Sequence, residues 1–145
     1  MFSEMGQLSE ALYQPLIDQT IRFLEKALPS DEYLGWLAAP SGSPGQIVAG
    51  AGVQQRRVLP HPLRHARAEA LAPGRQAIVL NVFTEPEWRR RGIAELLMKQ
   101  VIEWARASDL DTLVLHASND GRPLYERLGF EQTNEMRFAG DLHSR

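Results

Sequence analysis

A chain of 145 residues, 43% hydrophobic and 23% charged, suffices for one domain spanning residues 1–145, with an ordinary core and no second domain. Zero cysteine excludes a disulfide framework, a cysteine zinc site and a thiol nucleophile, and a formal charge of −2 lacks the basic excess of a general nucleic-acid binder. Met1 to Gly6 carries no basic leader, and no segment approaches the roughly 20 apolar residues of a membrane span, so no membrane partner is expected and the cytoplasm is the expected compartment.

Leu8, Leu12, Leu16, Ile17, Ile21, Leu24 and Leu28 recur at helical spacing, but Pro15 interrupts them, which allows two short helices or one kinked one. Pro29-Ser30-Asp31 ends this region. Tyr33 to Ala38 and Gln46 to Val53 then read as two antiparallel strands joined by Pro40-Ser41-Gly42-Ser43-Pro44-Gly45, a loop rich in turn formers. Gln54 to Gln76 has no clear period. Its Arg56, Arg57, Arg64, Arg67 and Arg75, with His61 and His65, face only Glu69, and it reads as a surface loop with at most one helical turn. These cations suit a solvated surface, with a substrate-recognition patch or an RNA or anion site as the weaker readings.

Ala77 to Thr84 is a β-branched, apolar run of strand length closed by Glu85-Pro86. It feeds Arg89-Arg90-Arg91-Gly92-Ile93-Ala94, which opens a helix whose Ile93, Leu96, Leu97, Val101 and Trp104 share one face. Glu95, Lys99, Glu103 and Arg106 occupy the other face and allow a Glu95 to Lys99 pair. Strand, basic glycine turn and helix in that order make a phosphate site. The first amides of a helix lack intrahelical partners and sit at the positive end of its dipole, and side chains at positions 92 and 94 would only obstruct them. A solvated basic turn is the other reading of the same residues. Thr112 to Ala117 reads as a second buried strand, Ser118 to Gly121 as a turn, and Arg122 to Phe130 as a short helix with Pro123 in its first turn and Gly129 just past its end. Phe130 to Gln132 and Glu135 to Phe138 could be two last short strands around Thr133-Asn134, with Ala139 to Arg145 frayed.

Arg89, Gly92 and Ala94 fill the pattern Arg or Gln, two residues, Gly, one residue, Gly or Ala, and Leu124-Tyr125-Glu126-Arg127-Leu128-Gly129-Phe130 follows downstream. In both stretches the chain resembles the GCN5-related N-acetyltransferase superfamily. The resemblance implies an α/β (α+β) fold with a mixed, mostly antiparallel twisted sheet flanked by helices and splayed central strands. It implies acetyl-CoA as cosubstrate, with the pyrophosphate on the amides of Arg90, Arg91, Gly92, Ile93 and Ala94 beside Arg89. The pantetheine chain would pair along Val82, Phe83 and Thr84, with the Val82 N–H on the thioester carbonyl. Asn119 would orient the cosubstrate, and Tyr125 would protonate the departing thiolate. Asn119 could equally initiate a turn, and Tyr125 could be a core residue. His116 reads as structural. The base is not legible: Glu85 and a water are both open.

That family normally opens with a strand before its first helix, and Met1 to Gln7 is too short and polar to supply one. The first strand is therefore expected to be absent, leaving Tyr33 to Ala38 at the sheet edge, with a homodimer or a start placed too late as the two explanations. The implied function is N-acetyl transfer from acetyl-CoA to a primary amine of a small molecule or peptide, by direct attack in a ternary complex. A catalytically silent acetyl-CoA sensor or interaction module is the alternative. No Gly-x-x-x-x-Gly-Lys loop, His-Glu-x-x-His pair or Gly-x-Ser-x-Gly elbow points elsewhere.

Overall fold

A computed structural model describes residues 9–63 and 70–143. The described residues open with α1 (Glu10–Ala27), a single helix through Pro15. Proline holds a helical φ and, so near the N-terminus, sacrifices one backbone hydrogen bond without ending the helix. Leu16, Ile17, Thr20 and Leu24 form its half-buried stripe, and Ala27 is its one buried residue.

Among the described residues, four strands make the main sheet in the order β1 (Tyr33–Ala38), β2 (Ala49–Arg57), β5 (Arg75–Thr84), β6 (Thr112–Leu115). The first two pairings are antiparallel and β5 runs parallel to β6, so the mixed sheet has the expected character. The alternation of strand side chains decides what each face buries. Leu34, Trp36 and Ala38, with Ala49, Ala51, Val53, Ala77 and Val79, point to one side, where Leu97, Met98 and Val101 of α2 (Ile93–Ala107) cover them. Trp36 meets Trp104 edge-on, with ring centroids 5.6 Å apart. Met98, Val53 and Val101 are the largest side chains fully withdrawn from water among the described residues. Burial of this kind contributes about 25 cal/mol per Å² of apolar surface.

Several boundaries differ from the sequence reading. The second strand begins at Ala49 rather than Gln46 and runs to Arg57, because Gln46 still closes a turn onto Ser43 and ladder partners start at Ala49. The stretch after it is no plain loop: β3 (His61–Pro62) and β4 (Leu71–Ala72) form a separate two-stranded ribbon. Arg64, His65, Arg67 and Glu69 lie outside the described residues, as do Met1 to Gln7. The strand expected over Thr112 to Ala117 stops at Leu115. No strand follows it among the described residues, so the two expected at Phe130–Gln132 and Glu135–Phe138 do not form. Residues 131–140 are all exposed, Met136 at 93%, so nothing apolar rewards their pairing. No strand precedes α1 among the described residues, and β1 stands at the sheet edge with β2 as its neighbour. On α2, Arg106 pairs with Glu103, while no Glu95 to Lys99 bridge occurs among the described residues.

Candidate functional site

The site begins where the central strands part. The parallel ladder joins Gln76 to Val79 of β5 with Thr112 to Leu115 of β6 and then ends. Beyond it, Leu80 to Thr84 continues alone on that side. A register slip opposite Gly50 and Gly52 leaves Asn81 and Val82 without partners in β2, and Asn81 takes a left-handed φ of 58°. A bulge of this kind re-aims the strand and frees backbone groups.

After Thr84 a short 3-10 turn (Pro86–Trp88) leads into the basic turn. Arg89 donates from Nε to the Thr84 carbonyl at 3.0 Å, tying the turn to the strand it follows. Arg90 and Gly92 both have positive φ, 61° and 79°. Gly92 caps α2 in the left-handed conformation, which a side chain at that position would disfavour. The space where its Cβ would stand is open, with no atom within 4 Å. Leu96 is bonded to the Gly92 carbonyl at 3.0 Å, so Ile93, Ala94 and Glu95 precede the first full helical hydrogen bond and their amides have no acceptor inside the helix. Positive-φ residues just before such amides form a concavity suited to an anion.

The opposite wall is α3 (Arg122–Arg127), with Pro123 in its first turn as expected. Gly129 has φ 103°, the Gly129 N–H meets the Glu126 carbonyl at 3.1 Å and the Phe130 N–H meets the Tyr125 carbonyl at 2.9 Å. That double closure, with Phe130 edge-on to the Tyr125 ring at 6.0 Å, fixes the helix end and with it the tyrosine. The Tyr125 hydroxyl makes no hydrogen bond to the described residues and opens to the cleft. Burial of the ring raises its phenol above the ordinary 10.0, so it holds its proton.

Between these walls lies a cleft of about 470 Å³. It brings together Val82, Phe83, Thr84, Arg89, Arg90, Gly92, Ile93, Ala94 and Tyr125 from residues scattered over the sequence. It does not include Arg91, whose guanidinium stacks 4.8 Å above the Trp88 ring, or Asn119, whose neighbours Ser118 and Asp120 reach the wall instead. His116 is an exposed partner of Glu135, at 2.9 Å. Trp88, Glu95, Leu124 and Arg127 also line the cleft and escaped the sequence reading. Leu124 and Arg127 flank Tyr125 on one short helix, a spacing that could have suggested them; nothing in the sequence turned Glu95 away from Lys99. The combination of an open anion seat, an unpaired strand edge and a protonated phenol fits a long phosphorylated acyl carrier.

Comparison with known proteins agrees with that chemistry. The model of the Acetyltransferase (GNAT) family matches residues 4–130. A GCN5-related N-acetyltransferase from Ralstonia eutropha JMP134 is 26% identical with a TM-score of 0.75, over 96% of this chain and 86% of that one. A predicted acetyltransferase from Clostridium acetobutylicum, solved with acetyl-CoA, is 25% identical with a TM-score of 0.71, over 85% of this chain and 73% of that one. The human cysteine-rich protein 2-binding protein is 38% identical over 56 residues, 39% of this chain, and the chain spans about 7% of that protein's length. By the extent of the family match and the agreement in fold, the chain belongs to the GNAT acetyltransferase family, whose members use acetyl-CoA.

Proposed function

We propose that this chain is an N-acetyltransferase that passes the acetyl group of acetyl-CoA to a primary amine by direct attack. The observation that carries the reading is the left-handed Gly92 at the head of α2, opening on a cleft that also holds the Tyr125 phenol. Acetyl-CoA supplies an activated acyl group on a good thiolate leaving group. The amides around Arg90 to Ala94 bind its diphosphate, and Arg89 holds the turn in register with β5. The lone edge of Leu80 to Thr84 pairs with the amide-containing arm as an added strand would. The Val82 N–H, outside the ladder, donates to the carbonyl as negative charge grows there, an interaction typically worth about 3 kcal/mol.

The attacking amine is neutral, so its proton passes to water or to a base such as Glu85 before or during attack. Its nitrogen bonds the acyl carbon, the carbon to sulfur bond breaks, and the Tyr125 hydroxyl gives its proton to the departing sulfur. A phenol raised by burial is suited to that task because it remains protonated at neutral pH. We place the reaction in the cytoplasm, with a homodimer as the assembly that would cover the β1 edge.

The second reading, a silent acetyl-CoA-binding module, uses the same anion seat without turnover. Thiol release from acetyl-CoA with a panel of amines, beside a thermal shift with acetyl-CoA alone, separates the two. Amine-dependent thiol release is expected; stabilisation without release would favour the silent module, and neither would remove both readings.

A further inference from the structure

The sheet face turned away from α2 carries a second constellation next to Val82. Gly50 and Gly52 stand there side by side on β2, and the places of their missing side chains are taken by two aromatic residues from neighbouring strands. A Cβ at Gly50 would lie 2.6 Å from the Phe83 ring, and one at Gly52 would overlap the Tyr33 hydroxyl. Both rings therefore lie close on the backbone of β2 as a floor. The Tyr33 hydroxyl accepts a hydrogen bond from Asn81 Nδ2 at 3.1 Å. Asn81 is the exposed, left-handed residue of the bulge, immediately before Val82. Since its Nδ2 is donating to Tyr33, its Oδ1 remains an acceptor, and the phenol keeps its own proton to donate. Leu37, 65% exposed and touching the Gly50 position, extends the apolar surface. Phe83 also lines the cleft described above, so floor and cleft are continuous.

We infer that Tyr33, Phe83 and Asn81 seat the acetyl acceptor, and that its class is a primary amine on an aromatic or aliphatic body. The inference rests on the acetyl-transfer reading above. With α2 filling one face, an amine attacking a carbonyl held at Val82 arrives from the other. There the aromatic faces attract an alkylammonium and cover its apolar body, while Asn81 Oδ1 accepts from the nitrogen. Carboxylates and free cations, which a polycationic or phosphorylated amine would demand, are missing from this set of side chains. The strained backbone of Asn81 is a device for turning its side chain onto this face beside the reacting carbonyl.

The test is calorimetric titration of amines into the full chain saturated with coenzyme A, followed by steady-state kinetics with acetyl-CoA. Phenethylamine is expected to bind more tightly than spermidine or glucosamine 6-phosphate. Gly52→Ala, which drives the Tyr33 ring off the floor, and Asn81→Ala are each expected to weaken phenethylamine about tenfold and raise its KM alike, with coenzyme A affinity unchanged. Tyr33→Phe, which keeps the ring and all backbone contacts, should weaken it less, by about threefold. Phenethylamine that fails to bind, binds no better than the polar amines, or binds Asn81→Ala and Tyr33→Phe as it binds the parent overturns the inference. Loss of coenzyme A binding in the parent chain would instead overturn the acetyl-transfer reading on which it stands.

Discussion

At the scale of single residues, Tyr125 and Gly92 carry separable parts of the proposed chemistry. Tyr125→Phe keeps the ring packed against Phe130 and removes the proton, so turnover should fall by about 10²- to 10⁴-fold while acetyl-CoA affinity stays within a factor of two in calorimetry. The pH dependence follows from the raised phenol. Its proton is retained past the ordinary 10.0, so loss of the acid should appear in turnover only on the alkaline side of that value. The unfolded chain ionises first as pH rises, so stability is intact below pH 10.0 and declines above it; phenolate absorbance of the parent against Tyr125→Phe measures both effects. Gly92→Glu combines an unfavourable left-handed conformation with a carboxylate at the anion seat, and acetyl-CoA binding should be lost in a chain that still folds. Undiminished affinity in that variant would move the diphosphate elsewhere.

Among elements, the short helix α3 depends on its closure more than on its length. A Cβ on Gly129 would meet no atom within 4 Å, so Gly129→Ala acts through the backbone alone. It should cost about 1 kcal/mol, lower the melting temperature by a few degrees, and reduce turnover by releasing Tyr125 from its fixed carbonyl contact. This element was legible in the sequence because proline and glycine bracket it and each acts locally. The strand and basic helix head from Ala77 to Ala94 were legible for the same reason: alternation, a β-branched run and a breaker need no knowledge of the rest of the chain. The β3 and β4 ribbon was not, since its two strands of two residues each pair across a connection of no regular period, and no local window carries that pattern. The final strands were expected from local pattern, but pairing needs a buried face, and residues 131–140 have none. The bulge at Asn81 depends on the mate strand's glycines, which no window on β5 alone contains. Asn119 and Arg91 illustrate the limit at the cleft. The resemblance assigned Asn119 to the cosubstrate and Arg91 to it through a backbone amide; the cleft wall takes Ser118 and Asp120 on either side of Asn119, and the Arg91 guanidinium stacks on Trp88.

For the whole molecule, the sheet order leaves β1 with one hydrogen-bonded neighbour among the described residues, and a strand edge of six residues without a second partner among them is a template for another chain. A dimeric mass in light scattering is expected, and a monodisperse monomer would show that the edge is tolerated bare. The early end of the β5 and β6 ladder has a further result. In the proposed reaction, that parting lets a nucleotide-bearing donor and a hydrophobic amine come in by separate doors, neither obstructing the exit of the other. Spent coenzyme A should then compete with acetyl-CoA alone, and acetylated product with the amine alone, so saturating one reactant leaves inhibition by the other's product in force.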